Sequence, residues 1–133
     1  MIRLAFISMM MAGSATAAEA LVPLSQVKDV NDGLVAVAVA DHIRNKCSTI
    51  EPRLIVAWRY LGSLETRAQQ LGYSDEEIED FVTDKSEKKR IAALAGAYIV
   101  AHDAKPNDKD SLCRLGREEI AANSAVGNLL REK

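Results

Sequence analysis

Nucleic acid is a poor partner for this chain, because no basic stripe runs through it. Its 133 residues carry 17 Lys and Arg against 19 Asp and Glu, a formal charge of −2. The signatures of catalysis are missing as well. There is no G-x-S-x-G nucleophile elbow and no redox C-x-x-C. Neither the haem-attaching C-x-x-C-H nor the phosphate-cradling G-x-x-x-x-G-K-[ST] occurs. H-E-x-x-H, which sets two imidazoles on one helical face for zinc, is absent too. The acidic run Glu76, Glu77, Glu79, Asp80 lacks the D-x-D-x-D-G calcium loop and reads as a solvated helix face. The expectation is a protein that is not an enzyme, with no metal and no cofactor.

Histidine and cysteine are scarce, two of each. Each histidine adjoins an aspartate, Asp41-His42 and His102-Asp103. Neighbouring residues on a helix point different ways, so neither pair is a ready chelate. A solvated or capping role is the expectation, and His102 near a helix C-terminus is favoured by the dipole alone. The cysteines take their meaning from the N-terminus. Arg3, an apolar run from Leu4 to about Ala12, and the small-x-small site Ala15-Thr16-Ala17 have the architecture of a secretory signal peptide, expected over 1–17, the alternative being a buried N-terminal helix. The run is too short to span a bilayer as an anchor. Export leaves one domain, 18–133, in an oxidising compartment, where Cys47 and Cys113 most simply form one disulfide. Closing a loop of that length would contribute roughly 4 kcal/mol. The alternative is a pair of free or metal-binding thiols.

The apolar spacing implies an all-α protein, a compact orthogonal bundle of about five helices with one disulfide and an extended N-terminal arm. Residues 18–30 have no helical period and contain Pro23, so they read as that arm. Leu21, Leu24 and Val27 would lie on a partner or on the core. Asn31-Asp32-Gly33 offers an N-cap for a helix from about Gly33 to Lys46. Its V-A-V-A-V-A alternates like a strand, but its alanines and the following I-R-N-K favour helix. The longest amphipathic helix is expected over Ser48–Gly72, with the fold built around it. Ser48 and Glu51 suggest a capping box, and Pro52 falls in the first turn. Leu54, Ala57, Trp58, Leu61, Leu64, Ala68 and Leu71 make its buried stripe, with Arg59 and Tyr60 outside.

A short helix capped by Ser74 and Glu77 follows, then one from Asp84 to about Ala101 that buries Ile91, Leu94, Ala95, Tyr98 and Ile99. Lys85, Lys88, Lys89 and Arg90 form the basic cluster at its start, either a solvated face or a contact for acidic headgroups or an acidic partner. A last helix spans roughly Lys109 to Ala122, and the tail 124–133 is a short helix or an extended segment.

N-D-G-L-V-A-V-A-V-A-D-H-I at Asn31–Ile43, L-G-Y-S-D-E-E-I at Leu71–Ile78, C-R-L-G-R-E-E-I at Cys113–Ile120 and S-A-V-G-N-L-L at Ser124–Leu130 carry a resemblance. They resemble the "domain of unknown function 5333" family, small exported proteins of alphaproteobacteria, over essentially the whole mature chain. No catalytic residue carries over from it; the cysteine pair does, here Cys47 and Cys113. The resemblance implies a partner, since the family is similar to a periplasm-side accessory subunit of respiratory NADH:quinone oxidoreductase. The expected function is to stabilise that membrane complex, with the arm and the Val126–Leu130 tail as tethers and with peripheral membrane contact. Arg59, Tyr60, Lys88, Lys89 and Arg90 join Leu21, Leu24 and Val27 as expected partner-binding residues. The alternative is a free periplasmic helical protein, a binding or chaperone-like module.

Overall fold

The computed structural model describes residues 20–133. The expected signal peptide, 1–17, and the first residues of the arm lie outside them. Five helices make the body: α1 (Lys28–Lys46), α2 (Leu54–Gln70), α3 (Asp75–Thr83), α4 (Lys85–Ala101) and α5 (Lys109–Ala121). Two short strands, β1 (Ile50–Pro52) and β2 (Leu130–Glu132), pair antiparallel. Cys47, just past α1, is bonded to Cys113 in α5. Among the described residues no helix is long and apolar enough to cross a membrane.

The element that organises the fold is α1, not the Ser48–Gly72 stretch. Helices α2, α4 and α5 and strand β1 all pack on it. Ala36, Val39, Ala40 and Ile43 are buried, and Val35, Val37 and Ala38 are half-buried. A helix covered on most sides needs no polar face, so its sequence loses the 3.6-residue period and V-A-V-A-V-A results. The helix also starts at Lys28, more than a turn earlier than expected. Asn31, buried inside it, donates from Nδ2 to the Leu24 and Val27 carbonyls at 2.7 and 2.8 Å. Those bonds tie a 3-10 turn at Leu24–Gln26 to the first turn of α1. Position 33 takes glycine because a Cβ there would stand 2.5 Å from a Leu64 methyl. The arm proper therefore ends at Pro23.

Helix α2 begins at Leu54, and the expected Ser48–Glu51 cap does not form. Ile50, Glu51 and Pro52 instead pair with Glu132, Arg131 and Leu130. Ile50 is buried, Glu51 takes an ion pair from Arg131 at 2.5 Å, and the Arg53 amide donates to the Leu129 carbonyl at 2.8 Å. A two-stranded ladder is all edge, where proline is tolerated. The tail is thus no loose tether: Val126, Leu129 and Leu130 are core residues.

The local caps form as the residues suggest. The Glu77 amide donates to Ser74 Oγ at 3.1 Å, and the Ser74 amide donates to Glu77 Oε2 at 2.7 Å. Asp84 caps α4 through the Glu87 amide, and Asp108 caps α5 through the Ser111 amide. Gly72, at φ +102°, makes the turn out of α2.

Candidate functional site

The apolar arc of α2 is wider than the surface α1 covers. Val56, Ala57, Tyr60, Leu64 and Ala68 turn inward, the first four half-buried and Ala68 buried. Leu54, Trp58 and Leu61 turn out, at 70%, 76% and 40% exposure. The expected roles of Trp58 and Tyr60 are therefore exchanged. The buried arc is centred on the Tyr60–Leu64 side, and no described segment of the chain covers the Trp58 side. On α4, Leu94 departs from expectation in the same way and lies in solvent.

Trp58, Leu61 and Gly62 form one wall of an open trough. Its floor is Leu34 of α1, and Ile78, Phe81 and Val82 of α3 close one end. This hollow has a volume of about 470 Å³. A second, of about 480 Å³, shares Leu34, Phe81 and Val82 with it and runs on past Val37 and Ala38 to Ile91 and Ala92 of α4. Arg59, Glu65, Asp75 and Glu79 stand at the α2–α3 lip. Asp41, Glu87 and Lys88 stand on the second hollow, where Asp41 is held by Arg44 at 2.7 Å and Glu87 by Arg90 at 2.8 Å.

The expected partner-binding residues do not share one place. Leu24 and Arg59 line the trough, and Lys88 lines the second hollow. Leu24 is buried in a small cluster with Ala68 and Tyr73, against which Val27 packs. Leu21 is half exposed near Gly72, and the Tyr73 hydroxyl donates to the Val22 carbonyl beside it. Burial, with Asp32 nearby, pushes the half-buried Tyr60 hydroxyl up in pKa. Lys89 points to solvent. Arg90 is spoken for internally, donating to Asn31 Oδ1 and to Glu87. Trp58, Leu61, Phe81 and Val82 were not among the expected site residues. The signal for them was the breadth of the α2 apolar arc, too wide for one neighbouring helix.

The histidines are engaged by the backbone. His42 donates from Nε2 to the Pro106 carbonyl at 2.5 Å, and His102 donates from Nδ1 to the Tyr98 carbonyl at 2.7 Å. His102 also stacks on the Tyr98 ring, centroids 4.0 Å apart. Among the described residues no group of three or more His, Cys, Asp and Glu is placed to hold a metal.

The buried carboxylate Glu119 accepts from the Tyr98 hydroxyl at 2.7 Å and from the Ser124 hydroxyl. It joins α4, α5 and the tail. Burial, reinforced by Glu119, pushes the Tyr98 hydroxyl well above its ordinary pKa of 10.0. A raised phenol stabilises the fold while protonated, so its contribution is intact below pH 10.0 and is lost as the pH climbs beyond it. The melting temperature should fall above that pH, and Tyr98→Phe should flatten the fall even though it lowers the neutral-pH value. Melting curves of both proteins across the alkaline range check this; identical slopes would refute it.

A family model matches residues 22–131. No curated protein and no solved structure matches the chain. The match spans every helix and both strands but the last residue of β2, and the chain belongs to the family of unknown function DUF5333.

Proposed function

We propose that this chain is a non-catalytic docking subunit, exported to the periplasm and accessory to the membrane-bound respiratory NADH:quinone oxidoreductase. The observation that carries the docking role is the α2 face. A tryptophan 76% exposed, with Leu54, Ile55 and Leu61 also in solvent on the same helix, makes an apolar patch of the kind that marks interaction sites. Tryptophan is also the side chain most enriched at the energetic centre of interfaces. The disulfide supports the export reading, since such bonds persist in oxidising compartments. The resemblance of the Asn31–Ile43, Leu71–Ile78 and Cys113–Ile120 motifs supplies the partner.

A tagged chain drawn from native membranes in mild detergent should bring down oxidoreductase subunits in near-stoichiometric amount. Trp58→Ser should keep its melting temperature within about 1 °C, because the side chain packs on little of its own fold, and should lose most of the partner. Recovery of the wild-type chain alone, from the periplasmic fraction, would replace this reading with that of a free periplasmic binding protein.

A further inference from the structure

We infer that the α2 trough receives an amphipathic helix of basic character from a partner protein. This rests on the docking role above and adds the chemistry of what docks. The α2 wall from Trp58 to Ala68 is roughly 15 Å long at 1.5 Å per residue, so the seat fits a helix of about three turns. Floor and walls are apolar, which calls for a stripe of large apolar side chains on the occupant.

The lip supplies the charge preference. At the α2–α3 end three carboxylates, Glu65, Asp75 and Glu79, face one guanidinium, Arg59. Among the described residues Glu65 and Glu79 have no ion-pair partner, whereas on the second hollow Asp41 and Glu87 are neutralised by Arg44 and Arg90 and Lys88 is left as the unpaired charge. The unbalanced charge at the α2–α3 lip is thus acidic, complementary to Lys or Arg flanking an apolar stripe. The same carboxylates would repel anionic headgroups, which argues for a helix over a membrane surface.

Gly62 keeps the α2 wall of the trough low. A glycine inside a helix is about 0.8–1 kcal/mol less favourable than alanine. Gly33, Gly116 and Gly127 have neighbours that a Cβ would strike, whereas Gly62 and, on α4, Gly96 have nothing within 4 Å. Of these two, Gly62 lies in the trough wall beside Trp58 and Leu61, where the missing Cβ leaves room for an occupant to approach the α2 backbone.

Trp58 is the single tryptophan, so its emission reports occupancy directly. The probes are helix-stapled peptides of about 12 residues, without tryptophan, sharing one leucine stripe and flanked by either Lys or Glu. The disulfide-bonded chain should bind the Lys peptide saturably with a blue shift of Trp58, and the Glu peptide at least tenfold more weakly. Glu65→Lys combined with Glu79→Lys, both at exposed positions, should invert that preference while leaving the circular dichroism unchanged. Equal binding of the two peptides, no shift with either, or a shift produced by phosphatidylserine vesicles alone would overturn the inference. So would a concentration-dependent dimer that buries Trp58 without peptide. If the peptides fail while the oxidoreductase still co-purifies, only the helix-in-trough inference falls. If the peptides bind as stated while co-purification fails, only the assigned partner falls.

Discussion

Reduction of the Cys47–Cys113 bond should remove about 4 kcal/mol of stability, from the entropy of a loop closed over 66 residues. For a domain of this size that is a drop of roughly 15 °C in melting temperature. The bond joins the end of α1 to the first half of α5, and both cysteines are buried in the main core. Cys47→Ala with Cys113→Ala should behave like the reduced protein. Urea unfolding gives a second, independent readout. Without the cross-link the unfolded chain expands further, so the slope of stability against urea should rise as the midpoint falls. A loss under about 1 kcal/mol with an unchanged slope would mean that the unfolded chain is held compact by something other than this bond.

Gly127→Ala should be the most damaging alanine substitution among the described glycines. A Cβ at this position would overlap the backbone carbonyl of Glu119, and backbone cannot swing aside as a side chain does. The chain there is already pinned. The Gly127 amide donates to Ser124 Oγ at 2.9 Å, and the Ser124 amide donates to the Glu119 carbonyl at 3.3 Å. Relieving the overlap would lift the tail off α5 and unseat Val126, Leu129 and Leu130, which leads on to the β1–β2 ladder. Overpacking usually destabilises by about 1–3 kcal/mol, and an immovable backbone neighbour places this case at about 3 or above. Gly62→Ala is the matched control. With open space around it, it should raise stability by up to about 1 kcal/mol and, if the trough is a seat for a helix, weaken docking. Equilibrium urea unfolding of both variants tests the contrast; equal effects would refute it.

What the sequence disclosed was what its local chemistry determines. The Ser74–Glu77 capping box, the Asp84 cap and the turn at Gly72 involve residues a few positions apart, and all are present. The disulfide was legible because two cysteines leave one pairing. The start of α2 was not legible. Ser48 and Glu51 carry a local capping signal, but pairing of Ile50–Pro52 with the far end of the chain overrides it. Asn31-Asp32-Gly33 misled for a related reason. Asn31 caps backward onto Leu24 and Val27 from within α1, and Gly33 is small because Leu64 comes close.

The candidate site was hidden by the assumption that an apolar stripe faces its own core. On α2 the stripe serves two surfaces, and periodicity cannot say which half is covered from within. Arg59, Leu24 and Lys88 were reached from the sequence; the tryptophan at the centre was assigned to the core. Removing the arm is also a poor test of docking, since Leu24 belongs to a buried cluster and its loss would loosen α2 and α3.

The respiratory complex is proposed to cover the Trp58 face in the cell. Trp58→p-benzoylphenylalanine, irradiated in living cells and read by mass spectrometry, tests it most directly. The same photo-reactive residue at Asn123, exposed just beyond α5, serves as the comparison. The expected result is adducts with a subunit of the NADH:quinone oxidoreductase from position 58 and none from position 123. Adducts absent at 58, or equally strong at both positions, would contradict it.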